Sequence, residues 1–376
     1  MRLDKLSIVN YRNIGAADLT LSAGVNCLVG ENGAGKTNIL DAIYYLSFCK
    51  SLSGLTDSLN IRHEEPFFVV QGTYDAPSGR EEVYCGFKRG QKKQFKRNKK
   101  EYQRLSDHIG LLPLVVISPA DEALISESAE ARRKYADGVI SQCDKTYMES
   151  LMAHNRLLTQ RNILLKQMAA SERPDLGLLD VYDQQIAHHG NIISAKRREF
   201  VEWLKPVVTN LYNQISDGHE DVGMAYATCL DRYDLYGGLV EARPRDLILG
   251  YTSRGVQKDD IEITMDGYQI KRVGSQGQRK SFVIALKLAQ YHYLTERKAT
   301  RPLLLLDDVF DKLDSSRGDR LIAMMASDDF GQTFITDTDM ARLKDVLGKV
   351  GKDYKIFIVD RGKATEADPQ DTQTRQ

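Results

Sequence analysis

The sequence predicts an α/β fold formed from two halves of one lobe, which carries an antiparallel β subdomain and an inserted α-helical hairpin arm. Three features predict it. The apolar run Val25–Val29 ends in Gly30-Glu31-Asn32-Gly33-Ala34-Gly35-Lys36-Thr37 and leads into helical spacing, the strand, glycine loop and helix of an α/β unit. A second apolar strand, Leu303–Leu306, ends in Asp307-Asp308. Asp307 lies 270 positions beyond Thr37, far more than one compact α/β unit needs, so the chain between them is an insertion.

In chain order, Leu3 to Val9 alternates apolar and polar side chains as a strand does, and Val25–Val29 is the next strand. From Asn38 onward Ile39, Leu40, Ile43 and Leu46 follow helical spacing. Residues 67–117 read as an antiparallel meander: Phe67 to Tyr74, a turn at Pro77-Ser78-Gly79, Glu82 to Phe87, a basic stretch, and Leu111 to Ile117. Beyond Pro119 the pattern becomes helical. Tyr147, Leu151, His154, Leu158, Leu165 and Met168 step by helical intervals with a break at Arg161, and Leu179, Ile186, Ile193, Phe200 and Val207 recur every seven residues. With Ser171-Glu172-Arg173-Pro174 as the turn between them, the two helices form an antiparallel arm of about 35 Å at 1.5 Å per residue.

Strand pattern returns at Ile261–Met265, turns at Asp266-Gly267 and resumes at Tyr268. A helix from Ser275 to about Arg297 precedes Leu303–Leu306, and strands Thr333–Thr336 and Tyr354–Val359 close the lobe. The expected division is 1–120 for the first part of the lobe, 121–240 for the arm and 241–362 for the second part. A polar tail, 363–376, is expected to be disordered.

Composition narrows the function classes. The 376 residues are 42% apolar and 28% charged, and no apolar run approaches the roughly 18 residues that span a bilayer. Met1-Arg2-Leu3-Asp4-Lys5 lacks a signal peptide's apolar stretch, so a cytoplasmic location without membrane attachment is expected. Cys27, Cys49, Cys85, Cys143 and Cys229 show no C-x-x-C pairing; they support neither a disulfide framework nor a zinc site and read as small apolar residues. Lys and Arg number 52 against 52 Asp and Glu, so a polyanionic partner has to be met by a local patch.

Gly30 to Thr37 matches G-x-x-x-x-G-K-[ST]. Glycines let backbone N–H groups close around phosphate oxygens, and the helix N-terminus adds partial positive charge. Glu31, Asn32 and Ala34 complete the cradle with Gly30, Gly33 and Gly35. Lys36 would neutralise the β and γ phosphates and Thr37 would ligate Mg²⁺, with ATP as the nucleotide. Asp307 would share that Mg²⁺, and Asp308 would orient or deprotonate an attacking water, which places Lys36 and Asp308 in the catalytic set.

Gly274-Ser275-Gln276-Gly277-Gln278 stands at the start of a helix. By itself it is a capped helix start. Before Asp307-Asp308 it resembles the S-x-G-Q signature of ATP-cassette ATPases, in which Ser275, Gly277 and Gln278 would contact the γ phosphate of ATP held by the opposite subunit. Leu313-Asp314 matches the acidic loop that crosses the dimer seam in that class.

Taken together, Leu6 to Asn13 with Tyr11-Arg12-Asn13, Gly30 to Thr37 with Asn38-Ile39-Leu40-Asp41-Ala42-Ile43, Gln160-Arg161-Asn162-Ile163-Leu164-Leu165-Lys166, and Ser275-Gln276-Gly277-Gln278 resemble the RecF family. These bacterial recombination mediators are relatives of the SMC and Rad50 ATPase heads, and the similarity runs to about Val359. It implies an ABC-type P-loop ATPase head that dimerises with ATP and binds DNA at single-strand gaps. It also implies help in loading RecA with RecO and RecR, support of the SOS response, and a weak DNA-stimulated ATPase. Arg12 matches an arginine near the nucleotide phosphates. The chain departs from the family at Gly255-Val256-Gln257-Lys258-Asp259-Asp260, where Gly-Pro-His-Arg-Asp-Asp is common, and Ile335-Thr336-Asp337-Thr338-Asp339 has no transporter-type switch histidine.

Between Lys88 and Arg104 nine cations stand against one acid, Glu101. Lys92, Lys93, Lys96, Arg97, Lys99 and Lys100, interleaved with Phe95 and Tyr102, read either as a strand pair offered to DNA phosphates or as a solvated hairpin whose charge blocks edge pairing. Two other classes remain as alternatives: a Rad50-like ATPase subunit of a nuclease complex, against which the short arm argues, and a transporter ATPase, against which the missing histidine argues.

Overall fold

The computed structural model describes residues 1–169, 176–216, 220–310 and 315–367. The expected turn Ser171–Pro174, the acidic loop Leu313-Asp314 and residues 368–376 lie outside them. The chain forms two compact units, 1–121 with 290–376 and 122–289. The break expected at 240–241 falls within a helix and divides nothing.

In the first unit, β1 (Arg2–Tyr11), β2 (Ile14–Thr20), β4 (Phe67–Ala76), β5 (Gly79–Lys88), β6 (Gln94–Arg97) and β7 (Lys100–Glu101) form an antiparallel sheet in the order β2-β1-β4-β5-β6-β7. Strand β2 was missed by the sequence pattern because Ile-Gly-Ala-Ala-Asp-Leu-Thr has little β propensity; it pairs with β1 from Lys5↔Thr20 to Tyr11↔Ile14. Alternation in β4 turns Phe68, Val70 and Tyr74 inward. Phe68, Tyr11 and Tyr45 meet edge to face at 5.2 to 6.0 Å, a geometry set by the ring quadrupoles.

The second sheet holds β3 (Val25–Val29), β8 (Leu114–Ile117), β12 (Leu303–Leu306), β13 (Thr333–Asp337), β14 (Tyr354–Asp360) and β15 (Lys363–Glu366) in the order β15-β14-β3-β13-β12-β8. From β14 to β8 all neighbours are parallel. Their side chains are buried on both faces where β3, β8 and β12 run, as parallel strands require. Helix α1 (Lys36–Phe48) follows β3, and α9 (Ser315–Ala326) and α10 (Met340–Val350) flank β13 in sequence. The two sheets are joined by Gln332. Its buried amide accepts from Leu3 N–H at 2.7 Å and donates to the carbonyls of Leu3 and Ser22 at 2.8 and 2.7 Å.

The start of the expected tail is corrected. Residues Lys363–Glu366 are strand β15, antiparallel to β14, closed by Arg361 and Gly362 at φ 45° and 76°. A polar Lys-Ala-Thr-Glu edge strand gives no hydrophobic alternation to read.

The second unit contains α2 (Ala123–Ser126), α3 (Ala129–Cys143), α4 (Lys145–Met168), α5 (Leu176–Ser216), α6 (Leu235–Leu249) and α7 (Ile270–Val273), with a sheet β11-β10-β9 of β9 (Val222–Ala227), β10 (Asp260–Met265) and β11 (Tyr268–Gln269). Helix α8 (Gln276–Lys298) begins here. The α4 helix spans about 36 Å, while α5, at 41 residues, spans about 60 Å. The seven-residue stripe holds through Leu179, Ile186, Ile193 and Phe200, then Val208 replaces Val207 as the buried position, the drift expected of 3.6 residues per turn against a 3.5 repeat.

Arg161, a break in the apolar spacing, is a fully buried centre of the arm. Its Nε donates to Asp183 at 2.6 Å, and its Nη1 donates to Asp246 at 2.7 Å and Thr252 at 2.8 Å. Arg243 donates to the second Asp183 oxygen at 2.7 Å. Two cations, one from α4 and one from α6, thus face two buried carboxylates, one from α5 and one from α6. Removing one partner strands the others, so Arg161→Ala is expected to destabilise the protein by about 3–5 kcal/mol. A lowered urea midpoint in far-UV circular dichroism checks this; an unchanged midpoint refutes it.

Candidate nucleotide site

Strand β3 ends at Val29, and Gly30 turns away beneath β14: a Cβ there would lie 2.1 Å from the Val359 carbonyl. Gly33 and Gly35 stand at φ 82° and 120°, the left-handed region in which a side chain is strained. Glu31, Asn32 and Gly33 are exposed, and Ala34 and Gly35 are buried beneath them. The buried Lys36 donates from Nζ to the carbonyls of Gly30 at 2.7 Å and Glu31 at 3.1 Å, which holds the ammonium at the loop. The β14–β15 turn buttresses the other side, with Gly362 N–H donating to Ala34 O at 2.8 Å.

Because β12 and β3 are separated only by β13, their C-terminal ends converge. Thr37 Oγ1 lies 3.0 Å from both oxygens of Asp307. Burial pushes the Asp307 carboxyl above its usual range, the Thr336 and Thr37 hydroxyls pull it back, and the neighbouring Asp308 pushes it up again. Asp308 sits at φ 48°, its N–H donating to Thr336 Oγ1 at 2.9 Å. Thr37 and Asp307 offer two protein oxygens, a set suited to Mg²⁺, which takes few protein ligands beside phosphate and water. At the end of β13, Asp337 is tied to Arg342 at 2.6 and 2.8 Å.

Sequence reasoning gave no role to Asn13, Asn38 or Asp41. Asn13 Nδ2 donates to the carbonyls of Gly33 and Ala34, each at 3.2 Å, and its Oδ1 accepts from Asn38 at 2.8 Å. Arg12, at φ 54°, pairs with buried Asp41 at 2.8 Å and donates to Ser51, Ser53, Asn60 and Asn38. Asn60 takes up Nε and Ser51, Ser53 and Asp41 take up Nη2, while Nη1 donates to Asn38, which links Arg12 through Asn13 to the glycine loop. The available signal was the polar run Tyr11-Arg12-Asn13 before a strand.

In the second unit, Ser275 and Gln278 cap α8 reciprocally. Gln278 N–H donates to Ser275 Oγ at 3.3 Å and Ser275 N–H to Gln278 Oε1 at 2.7 Å, a capping box. Gln278 Nε2 also donates to Glu220 at 2.7 Å, and Gly277 lies between them in the sequence.

The basic stretch is divided. Lys93 donates to the Cys49 carbonyl at 2.7 Å and Tyr45 at 3.0 Å and pairs with Asp57 at 3.0 Å. Arg97 grips Glu81 at 2.5 and 2.8 Å and holds that carboxyl down at about 2. Lys96 lies 5.5 Å from the Tyr84 ring centroid. Only Lys92, Lys99 and Lys100 of the six candidates are exposed. Phe95 and Tyr102, expected among the cations, pack instead around buried His108, at 4.8 and 5.2 Å. Asn98 and Lys99, at φ 48° and 68°, make the two-residue turn between β6 and β7.

A glycine loop facing a strand-end carboxylate across one intervening strand, with a capped S-x-G-Q helix in a separate inserted unit, defines an ATPase head of the ATP-cassette type. The family described as the RecF/RecN/SMC N terminal domain matches residues 2–363. DNA replication and repair protein RecF of Bacteroides fragilis is 48% identical over 99% of this chain and 100% of its own; that of Bacteroides thetaiotaomicron is 49% identical over 97% and 99%. A solved structure of the recombination mediator protein RecF-ATP in the RecFOR pathway superposes with TM-score 0.88 at 29% identity over 97% of each chain. The chain belongs to the RecF family of DNA replication and repair proteins. An Smc head domain from Pyrococcus furiosus shares the fold, with TM-score 0.58 at 15% identity over 98% of this chain and 97% of that one.

Lys36→Ala is expected to weaken ATP binding at least about 100-fold through loss of charge-assisted bonds. Titration with a fluorescent ATP analogue measures this, and retained affinity refutes the loop assignment.

Proposed function

We propose that this chain is an ATP-switched, dimeric DNA clamp acting at single-strand gaps. The observation that carries it is the convergence of Thr37, Asp307 and Asp308 beside the glycine loop, in a chain whose relatives include RecF-ATP. Gly30 to Gly35 offer backbone N–H groups to the phosphates, and Lys36 neutralises them. Thr37 and Asp307 would hold Mg²⁺, which when bound would supply positive charge to the phosphate oxygens. Asp308 orients the attacking water. Arg12 acts from behind the loop through Asn38 and Asn13.

In the dimer, Ser275, Gly277 and Gln278 of one subunit meet the γ phosphate held by Lys36 of the other. For that interaction the Ser275 hydroxyl keeps accepting from Gln278 N–H and turns its own hydrogen outward. Slow, DNA-stimulated hydrolysis opens the clamp. The RecFOR pathway in which the related structures stand supports RecR and RecO as partners, and through them RecA loading and the SOS response. The DNA replication and repair role of its relatives supports a cytoplasmic location; separately, among the described residues no helix is long and apolar enough to cross a membrane.

DNA binding falls to Lys92, Lys99 and Lys100. A fluorescent gapped duplex followed by anisotropy, with and without Mg²⁺-ATP at two salt concentrations, is expected to bind only with nucleotide and more weakly at higher salt. Changing these three lysines to alanine is expected to lower the salt slope by about one for each phosphate that is no longer neutralised. Absence of binding in both nucleotide states refutes the clamp. Ser275→Arg is expected to leave ATP binding intact and abolish the ATP-dependent dimer in light scattering; a variant that still dimerises refutes the approach of Ser275 to the opposite subunit's nucleotide.

A further inference from the structure

Thr336 is where the site's two carboxylates meet. It is the second-last residue of β13 and is 1% exposed. Its Oγ1 lies 2.8 Å from Asp307 Oδ1 and 3.3 Å from Asp308 Oδ1, and it accepts the Asp308 N–H at 2.9 Å. One hydroxyl thus serves two consecutive acids. A threonine hydroxyl has a single hydrogen, so it donates to one carboxylate at a time, and the shorter distance gives it to Asp307.

The backbone adds a second constraint. Asp308, at φ 48°, stands in a region that costs a residue with a Cβ about 1–2 kcal/mol, and such a conformation persists where its surroundings impose it. The N–H bond to Thr336 Oγ1 is the side-chain bond that fixes this peptide. Asp337, the next residue of the strand, is committed to Arg342. Beyond the backbone ladder that ends at Leu306↔Ile335, the side-chain connection between β13 and the acidic pair is therefore made by the Thr336 hydroxyl.

We propose that Thr336 is a positioning residue: it fixes the Asp308 backbone and shares one proton between Asp307 and Asp308, so that engagement of Asp307 by a ligand frees the hydroxyl to turn to Asp308 and set its carboxylate. This rests on the reading of Asp308 as the residue that orients the attacking water. Valine matches threonine in shape and lacks the hydroxyl, whereas serine keeps the hydroxyl and lacks the methyl.

The test uses Thr336→Val and Thr336→Ser in the full chain. The valine variant is expected to bind a Mg²⁺-free fluorescent ATP analogue within about twofold of the parent and to lose about 10–100-fold in kcat at unchanged KM, the scale of a misplaced catalytic group. The serine variant is expected to recover kcat to within about threefold. A crystal structure of the valine variant is expected to show Asp308 outside the left-handed region. Added to Asp308→Asn, Thr336→Val is expected to cost less than about twofold more, because both changes act on one group. An impaired Asp308→Asn protein beside a valine variant with parental kcat, or a serine variant no better than valine, overturns this inference alone. An Asp308→Asn protein with unchanged turnover overturns the reading of Asp308 and this inference with it.

Discussion

The hydrogen bond between Thr37 and Asp307 ties together residues 270 positions apart, and the site depends on it. No local preference brings them near each other. The parallel ladder does: β13 pairs with β3 from Thr333↔Val25 and with β12 from Leu304↔Thr333, which sets the ends of the two outer strands at one level. Crevices at the carboxyl ends of parallel strands are where α/β sheets bind ligands. Closing so long a loop is tolerable because its entropic cost grows only with the logarithm of its length.

The inserted unit answers to a different constraint. Desolvating Arg161, Asp183 and Asp246 is costly, and the cost is offset only when every partner is in place. Asp183 is shared by Arg161 and Arg243, and Asp246 also accepts from Ser253 N–H at 2.9 Å. The three helices are therefore set by one network, and an intermediate arrangement would leave a buried charge unmatched. Arg197, paired with Asp137 at 2.9 and 3.0 Å and donating to the Val256 carbonyl, repeats the device further along α5. In the same unit Gln278 and Glu220 tie the capped start of α8 to residues beyond α5.

Charge count alone misjudged the basic hairpin. Lys93 and Arg97 serve the fold, closing on Asp57 and Glu81, and Phe95 is a core residue facing His108. Burial pushes the His108 imidazole down to about 4, so at neutral pH it stays uncharged between Tyr102 and the Leu46 carbonyl. Of the six candidates Lys92, Lys99 and Lys100 stay exposed to an external polyanion, as do Lys88, Arg89 and Arg104 beside them, and Lys99 stands at the β6–β7 turn where φ is positive.

By itself the sequence determined the elements whose signals are local. The Gly30 to Thr37 loop, the apolar strand before Asp307 and the capped start at Ser275 were legible because glycine conformation, strand burial and helix capping each leave a fixed pattern of neighbouring residues. The arm's stripe was legible for the same reason. Only the tertiary structure decided that Arg161, an apparent break in that stripe, is its buried centre, since the compensating carboxylates come from two other helices. It also decided that the Thr336 hydroxyl touches both members of the acidic pair, that Arg12 reaches the loop through Asn38 and Asn13, and that polar Lys363–Glu366 is a strand. Those outcomes depend on partners distant in sequence, and a hydrogen bond or ion pair between distant residues has no period for a single chain to display.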